Sequence, residues 1–106
     1  MKLINLLKET EFSKDMAHRQ VLYDSRNLTL VAFNFEAGQE LPVHCLSADS
    51  ELALLVLEGD GEFQGENAVP VQAGNLMILP VCVPHGLKAH SRVRVLAFIS
   101  PSVTEY

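Results

Sequence analysis

Apolar residues along this chain fall into short runs separated by turn-forming residues. The runs are Val21–Tyr23, Leu28–Phe35, Leu52–Leu57, Gly61–Phe63, Val69–Gln72, Leu76–Leu79 and Val93–Ser100. Their Val, Leu, Ile and Phe content suits a pleated, half-buried surface. The breaks are Asp24 to Asn27, Gly38, Asp49-Ser50, Gly59-Asp60-Gly61, Gly65-Glu66-Asn67, Gly74-Asn75, Pro84 and Ser91. Such residues accept positive φ, fix φ, or bond their own backbone. Short runs at this spacing predict an all-β sandwich or barrel. The one helical candidate is Leu3–Glu9, at the start of the chain.

Two runs are apolar on both faces. Leu52 to Leu57 shows no alternation, and neither does Leu76 to Leu79. A strand with one face in water should alternate, so these two need a second covering layer. A second copy of the chain is the expected cover, on the outer face of one sheet, giving a homodimer. The other candidate cover is the N-terminal segment itself. Within Leu28–Phe35, period alone leaves open whether Asn34 or its neighbours Phe33 and Phe35 face the interior; the phenylalanines are taken as core.

The chain has 106 residues, room for one domain and no more. We divide it into an N-terminal extension, residues 1–20, and a barrel, residues 21–106. Its net charge of −5 argues against a nucleic-acid partner, which needs clustered Lys and Arg. Lys88, Arg92 and Arg94 come nearest to a patch, and they read as a solvated strand face. The apolar stretch Leu3 to Leu7 is broken by Asn5 and is too short for a secretory leader, and no run approaches a membrane span. A cytoplasmic protein with no membrane partner is expected. Cys45 and Cys82 cannot form a disulfide framework and read as reduced, mostly buried small hydrophobes.

The candidate chemistry lies in two segments. Gly38-Gln39-Glu40-Leu41-Pro42-Val43-His44 ends on a histidine, and so does the segment that opens at Gly74 and passes Pro80 and Pro84 to His85. The glycines suit tight turns, and the prolines need no ladder donors. A closed barrel can bring two such distant histidines together inside. These segments, with the Gly59 hairpin between them, resemble the two conserved motifs of the cupin superfamily, in order and at the family's separation. The resemblance spans about half the chain. It implies a double-stranded β-helix, or jelly-roll, barrel of the RmlC-like type. It also implies an interior where the motif histidines and a glutamate commonly hold a divalent metal such as Fe, Mn, Ni or Zn.

The chain departs from those motifs. Leu46 stands where the first motif has its second histidine, Cys82 where the second has a glycine, and Ala89 where it ends in asparagine. Glu51 has the family glutamate's spacing from His44, but counted back from Gly59 that position is Leu52. A one-residue slip flips a side chain to the opposite face. If a β-bulge absorbs the extra residue, His44, His85 and Glu51 form a 2-His-1-carboxylate set suited to non-haem iron. If the strand is regular, the interior holds two histidines and apolar walls, an ordinary small-molecule site.

The resulting expectation is a small-molecule binding protein with an interior pocket at His44, Leu46, His85 and Cys82. The metal set that the resemblance implies is His44, His85 and Glu51. The alternative is a metal-dependent oxygenase or isomerase of a small metabolite. His18 and His90 sit in polar contexts and are expected at the surface.

Overall fold

The computed structural model describes residues 1–8 and 10–103. The predicted runs become strands, and two more appear between them. The order is β1 (His18–Asp24), β2 (Thr29–Phe35), β3 (Glu40–His44), β4 (Glu51–Glu58), β5 (Asp60–Gln64), β6 (Ala68–Gln72), β7 (Leu76–Pro80), β8 (His85–Ala89) and β9 (Val93–Ser100). The additions to the hydrophobic runs are β3 and β8, which carry His44 and His85. Both are five residues long and hold proline, glycine or charge, so apolar patterning hardly marks them. The helix expected over Leu3–Glu9 does not form among the described residues. Leu6–Lys8 make a turn instead, in which the Lys8 amide donates to the Asn5 carbonyl (3.0 Å); Glu9 lies outside the described residues. A single helical turn is too short to stabilise itself, and this segment's apolar residues pack on a sheet instead.

The strands form two antiparallel sheets. One has five strands in the order β1-β2-β9-β4-β7, and the other has four in the order β3-β8-β5-β6. This is the all-β jelly-roll architecture expected from the sequence. The core lies between the sheets. Phe33, Phe35, Leu52, Leu54, Val95 and Ile99 face inward from the larger sheet, and Leu87 and Ala89 meet them from the smaller. Gly59 makes the β4–β5 turn possible. Its φ is +84°, and a Cβ there would overlap the Arg92 carbonyl oxygen, so only glycine fits without strain.

The register of β4 settles which of Glu51 and Leu52 points inward. Glu51 stands opposite Pro80 and Ser100, while Leu52 stands opposite Leu79 and Ile99. From Glu51 to Val56 burial alternates without a break, with Leu52, Leu54 and Val56 inside. A bulge does occur, but between Val56 and Glu58, on the Gly59 side. Glu51 therefore stays on the exposed outer face.

The outer face of the five-stranded sheet is also apolar, which explains the runs that do not alternate. Ile78, Ala53, Phe98 and Leu30 form one cross-strand row, and Leu76, Leu55, Leu96 and Ala32 the next. The N-terminal segment lies over the β1-β2-β9 half, where Ile4 and Leu6 pack on Leu22, Ala32 and Leu96. Polar anchors hold it there. Arg94 donates to the Leu6 carbonyl, Asn34 Nδ2 to the Glu11 carbonyl (2.8 Å), and Gln39 Nε2 to the Ser13 carbonyl (2.8 Å). Phe33 and Phe35 are core, as expected, while Asn34 faces outward yet is buried beneath the strap. The solvated face expected at Lys88, Arg92 and Arg94 holds for Lys88 and Arg92, both exposed, but not for Arg94. Arg94 is only 8% exposed under the strap, and Arg92 pairs with Glu36 (2.7 Å) and lies over the Phe12 ring. This segment of chain is what removes Arg94 from water, and strand patterning carries no sign of it.

Candidate ligand-binding site

His44 and His85 are direct cross-strand partners, β3 against β8. A bulge between Leu41 and His44 sets their pairing. Gly86 permits the approach, since a Cβ there would sit 2.7 Å from the Leu41 carbonyl oxygen. The two imidazole centroids are 4.5 Å apart, with the rings inclined at 54°. His85 is fully buried and His44 half-buried.

Each ring is fixed in the same way. Nδ1 of His44 lies 3.0 Å from the Pro42 carbonyl oxygen, and Nδ1 of His85 lies 2.7 Å from that of Val83. A carbonyl oxygen only accepts, so in the neutral rings both Nδ1 atoms donate and Nε2 carries the lone pair. Burial lowers the His85 pKa below its ordinary value. The hydrogen bond to Val83 opposes that shift, and the neighbouring His44 adds to it. His85 is thus held as a neutral imidazole.

Leu46 stands where the cupin motif has its second histidine. It is half-buried and packs against the core, and its amide donates to the Val81 carbonyl (3.0 Å). It makes this part of the interior apolar. The structure does not bring Glu51 to the histidines. Among the described residues no group of three or more His, Cys, Asp or Glu side chains is placed to hold a metal ion. The donor set thus falls short of the three protein ligands usual at catalytic metal centres.

Cys45 and Cys82 are both exposed, contrary to the burial their residue type suggests; for Cys45 this agrees with strand alternation, which points it away from the inward motif positions on either side. Cys45 follows β3, and Cys82 rides the tight loop between β7 and β8. Thr104 to Tyr106 lie outside the described residues.

An open cleft of about 390 Å³ lies among β5, β6, β7 and the loop before β8, and none of His44, Leu46, Cys82 and His85 lines it. Phe63, Val69, Met77, Leu79, Val83 and Pro84 line it, and Glu66 and Asn67 stand on its rim. Val83 also anchors His85. The volume falls within the range of small-molecule pockets. Hydrophobic patterning did not reveal this cleft as a site. Its only trace in the sequence is the alternation of Met77 and Leu79 on β7, masked there by the equally apolar Leu76 and Ile78.

Among the described residues, nine antiparallel strands in two sheets, with paired histidines at the motif positions, define a double-stranded β-helix protein. The fold is shared by a double-stranded β-helix protein of Klebsiella pneumoniae (TM-score 0.86, 16% identity, 95% of this chain and 90% of that one). It is shared as well by a cupin superfamily protein of Desulfitobacterium hafniense (TM-score 0.82, 14% identity, 95% and 92%). An RmlC-like cupin of Desulfovibrio desulfuricans is 38% identical over 97% of this chain and 99% of that one, with a TM-score of 0.93. The chain belongs to the RmlC-like cupins. No protein-family model matches it, and neither does any curated protein. No helix of the described residues is long and apolar enough to cross a membrane.

Proposed function

We propose that this cupin binds a small, largely apolar molecule at the barrel mouth, oriented by His44 and His85. The observation that carries the proposal is the histidine pair itself, with both Nδ1 atoms committed to carbonyls and both lone pairs on Nε2. A neutral imidazole Nε2 accepts a hydrogen bond, so the ligand should present a hydroxyl or another donor. The wall formed by Phe63, Met77 and Leu79 favours an apolar body. A metal-dependent oxygenase or isomerase would need a third protein ligand that Glu51 does not supply, and no reaction step through a metal follows from these residues.

Thermal melts with a panel of small phenols and hydroxylated aromatic acids test this reading, with His44→Gln and His85→Gln as controls. A ligand at about a hundred times its Kd stabilises the native state by about 2.7 kcal/mol. The expected result is a compound that raises the Tm of the wild type and of neither variant. Equal stabilisation of all three proteins would refute the reading. So would about one equivalent of Fe, Mn, Ni or Zn retained by the wild type and lost from both variants.

A further inference from the structure

The two cysteines of the chain stand on the loops that flank the histidine pair. Cys45 directly follows His44 at the end of β3, and Cys82 precedes His85 in the loop between β7 and β8. All of β4 to β7 lies between them in sequence. The backbone nevertheless holds them side by side. The Leu46 amide donates to the Val81 carbonyl at 3.0 Å. Cys45 shares a planar peptide unit with that amide, and Cys82 shares one with that carbonyl.

This hydrogen bond fixes how far apart the two residues can be. In a trans peptide unit the preceding Cα lies beside the N–H, and the following Cα lies beside the C=O. With the bond at 3.0 Å, the Cα atoms of Cys45 and Cys82 are about 4 to 6.5 Å apart, whatever the rotation about it. A disulfide spans about 4.4 to 6.8 Å between Cα atoms. The two loops also extend the antiparallel pair β3 and β8, in which opposed residues face each other directly. Both cysteines are exposed, so a small solute in the surrounding water reaches them.

We propose that Cys45 and Cys82 are a modification site, a thiol pair that a peroxide converts into a reversible disulfide within the chain. One thiolate attacks a peroxide oxygen, the O–O bond breaks, and the departing oxygen leaves as water once protonated. The sulfur is left as a sulfenic acid. The second thiolate attacks that sulfur. The S–S bond forms, the S–O bond breaks, and the second oxygen leaves as water. Two thiols and one hydrogen peroxide thus give one disulfide and two waters, with the peroxide taking up the two electrons. A dithiol restores the thiols by exchange, as exposed disulfides allow. The link would fasten the β3–β4 loop to the β7–β8 loop, beside His44 and beside Val83, whose carbonyl anchors His85. The site stands on its own observations and does not depend on the ligand proposed above.

Mass spectrometry of the native protein before and after a small molar excess of hydrogen peroxide tests the proposal. The oxidised chain should be lighter by about 2 Da, the two hydrogen atoms lost to water, with both titratable thiols gone and a single peptide pair joining Cys45 to Cys82. Because the link closes a long segment of chain, it should raise Tm by about 5 °C or more. Dithiothreitol should reverse both changes. Cys45→Ser and Cys82→Ser alter exposed side chains and should fold. Each should instead gain about 16 Da, the remaining thiol stopping at a sulfenic acid that dimedone traps. Wild-type thiols that stay free, that stop at oxygen adducts, or that join one chain to another overturn the proposal. So does a linked chain that melts no higher than the reduced one, because the bond then forms only by distorting the loops.

Discussion

The register of β4 decides what chemistry the barrel interior holds, and two neighbouring alanine substitutions read it directly. Leu52 is fully buried between Leu79 and Ile99, whereas Glu51 is exposed on the opposite face. Replacing Leu52 with alanine removes three carbons from the core, worth about 2.4 kcal/mol at about 0.8 kcal/mol for each. The cavity left behind raises the cost to about 3 to 4 kcal/mol, because a close-packed interior relaxes only in part. For 106 residues the unfolding entropy near the midpoint is about 0.22 kcal/mol/K, so Leu52→Ala should lower Tm by about 13 to 18 °C. Glu51→Ala should change stability by no more than about 0.5 kcal/mol, or about 2 °C. Calorimetry or chemical denaturation of the two variants measures both quantities. A Glu51→Ala loss above about 2 kcal/mol, or a Leu52→Ala loss below about 1 kcal/mol, would mean that the strand is shifted and the glutamate faces the histidines.

Two further outcomes are expected. Burial favours neutral His85 in the folded chain, so the unfolded chain binds the extra proton first as pH falls below 6.5. The His85 contribution is therefore complete above that pH and is lost as pH drops toward the lowered folded value, with a slope of at most about 1.36 kcal/mol per pH unit. Urea titrations between pH 7.5 and 5 should show this slope, and His85→Gln should flatten it; an unchanged slope would rule out the assignment. Gly59→Ala should cost more than about 2 kcal/mol, since it adds left-handed backbone strain to an overlap with the Arg92 carbonyl. An alanine variant as stable as the wild type in urea would contradict this account of the turn.

The sequence by itself determined the class of fold. Turn residues at regular intervals and apolar runs too short for helices left an all-β barrel as the consistent solution, and the spacing from Gly38 to His44 and from Gly74 to His85 resembled the cupin motifs. It also marked both histidines, because chemistry-bearing residues stand out against strands of Leu and Val. What it left open were questions of direction. Glu51 or Leu52, Asn34 or Phe33, are choices between faces, and one residue of slip reverses them. Only pairing across the sheet resolves them, since Leu52 is held inward by its partners on β7 and β9 and not by anything in its own segment.

Burial brought about by distant chain was equally invisible. Arg94 reads as a surface residue on its strand, yet it lies beneath a carbonyl contributed by Leu6, eighty-eight residues earlier. Cys45 and Cys82 read as buried by residue type, yet both ended up exposed. The cleft between the sheet edges depends on which strands remain unpaired, a property of the closed barrel that no single segment carries. Local propensity and period are short-range, and they specified the strands. Facing, covering and pocket formation depend on contacts between residues far apart in sequence, and the tertiary structure alone decided them.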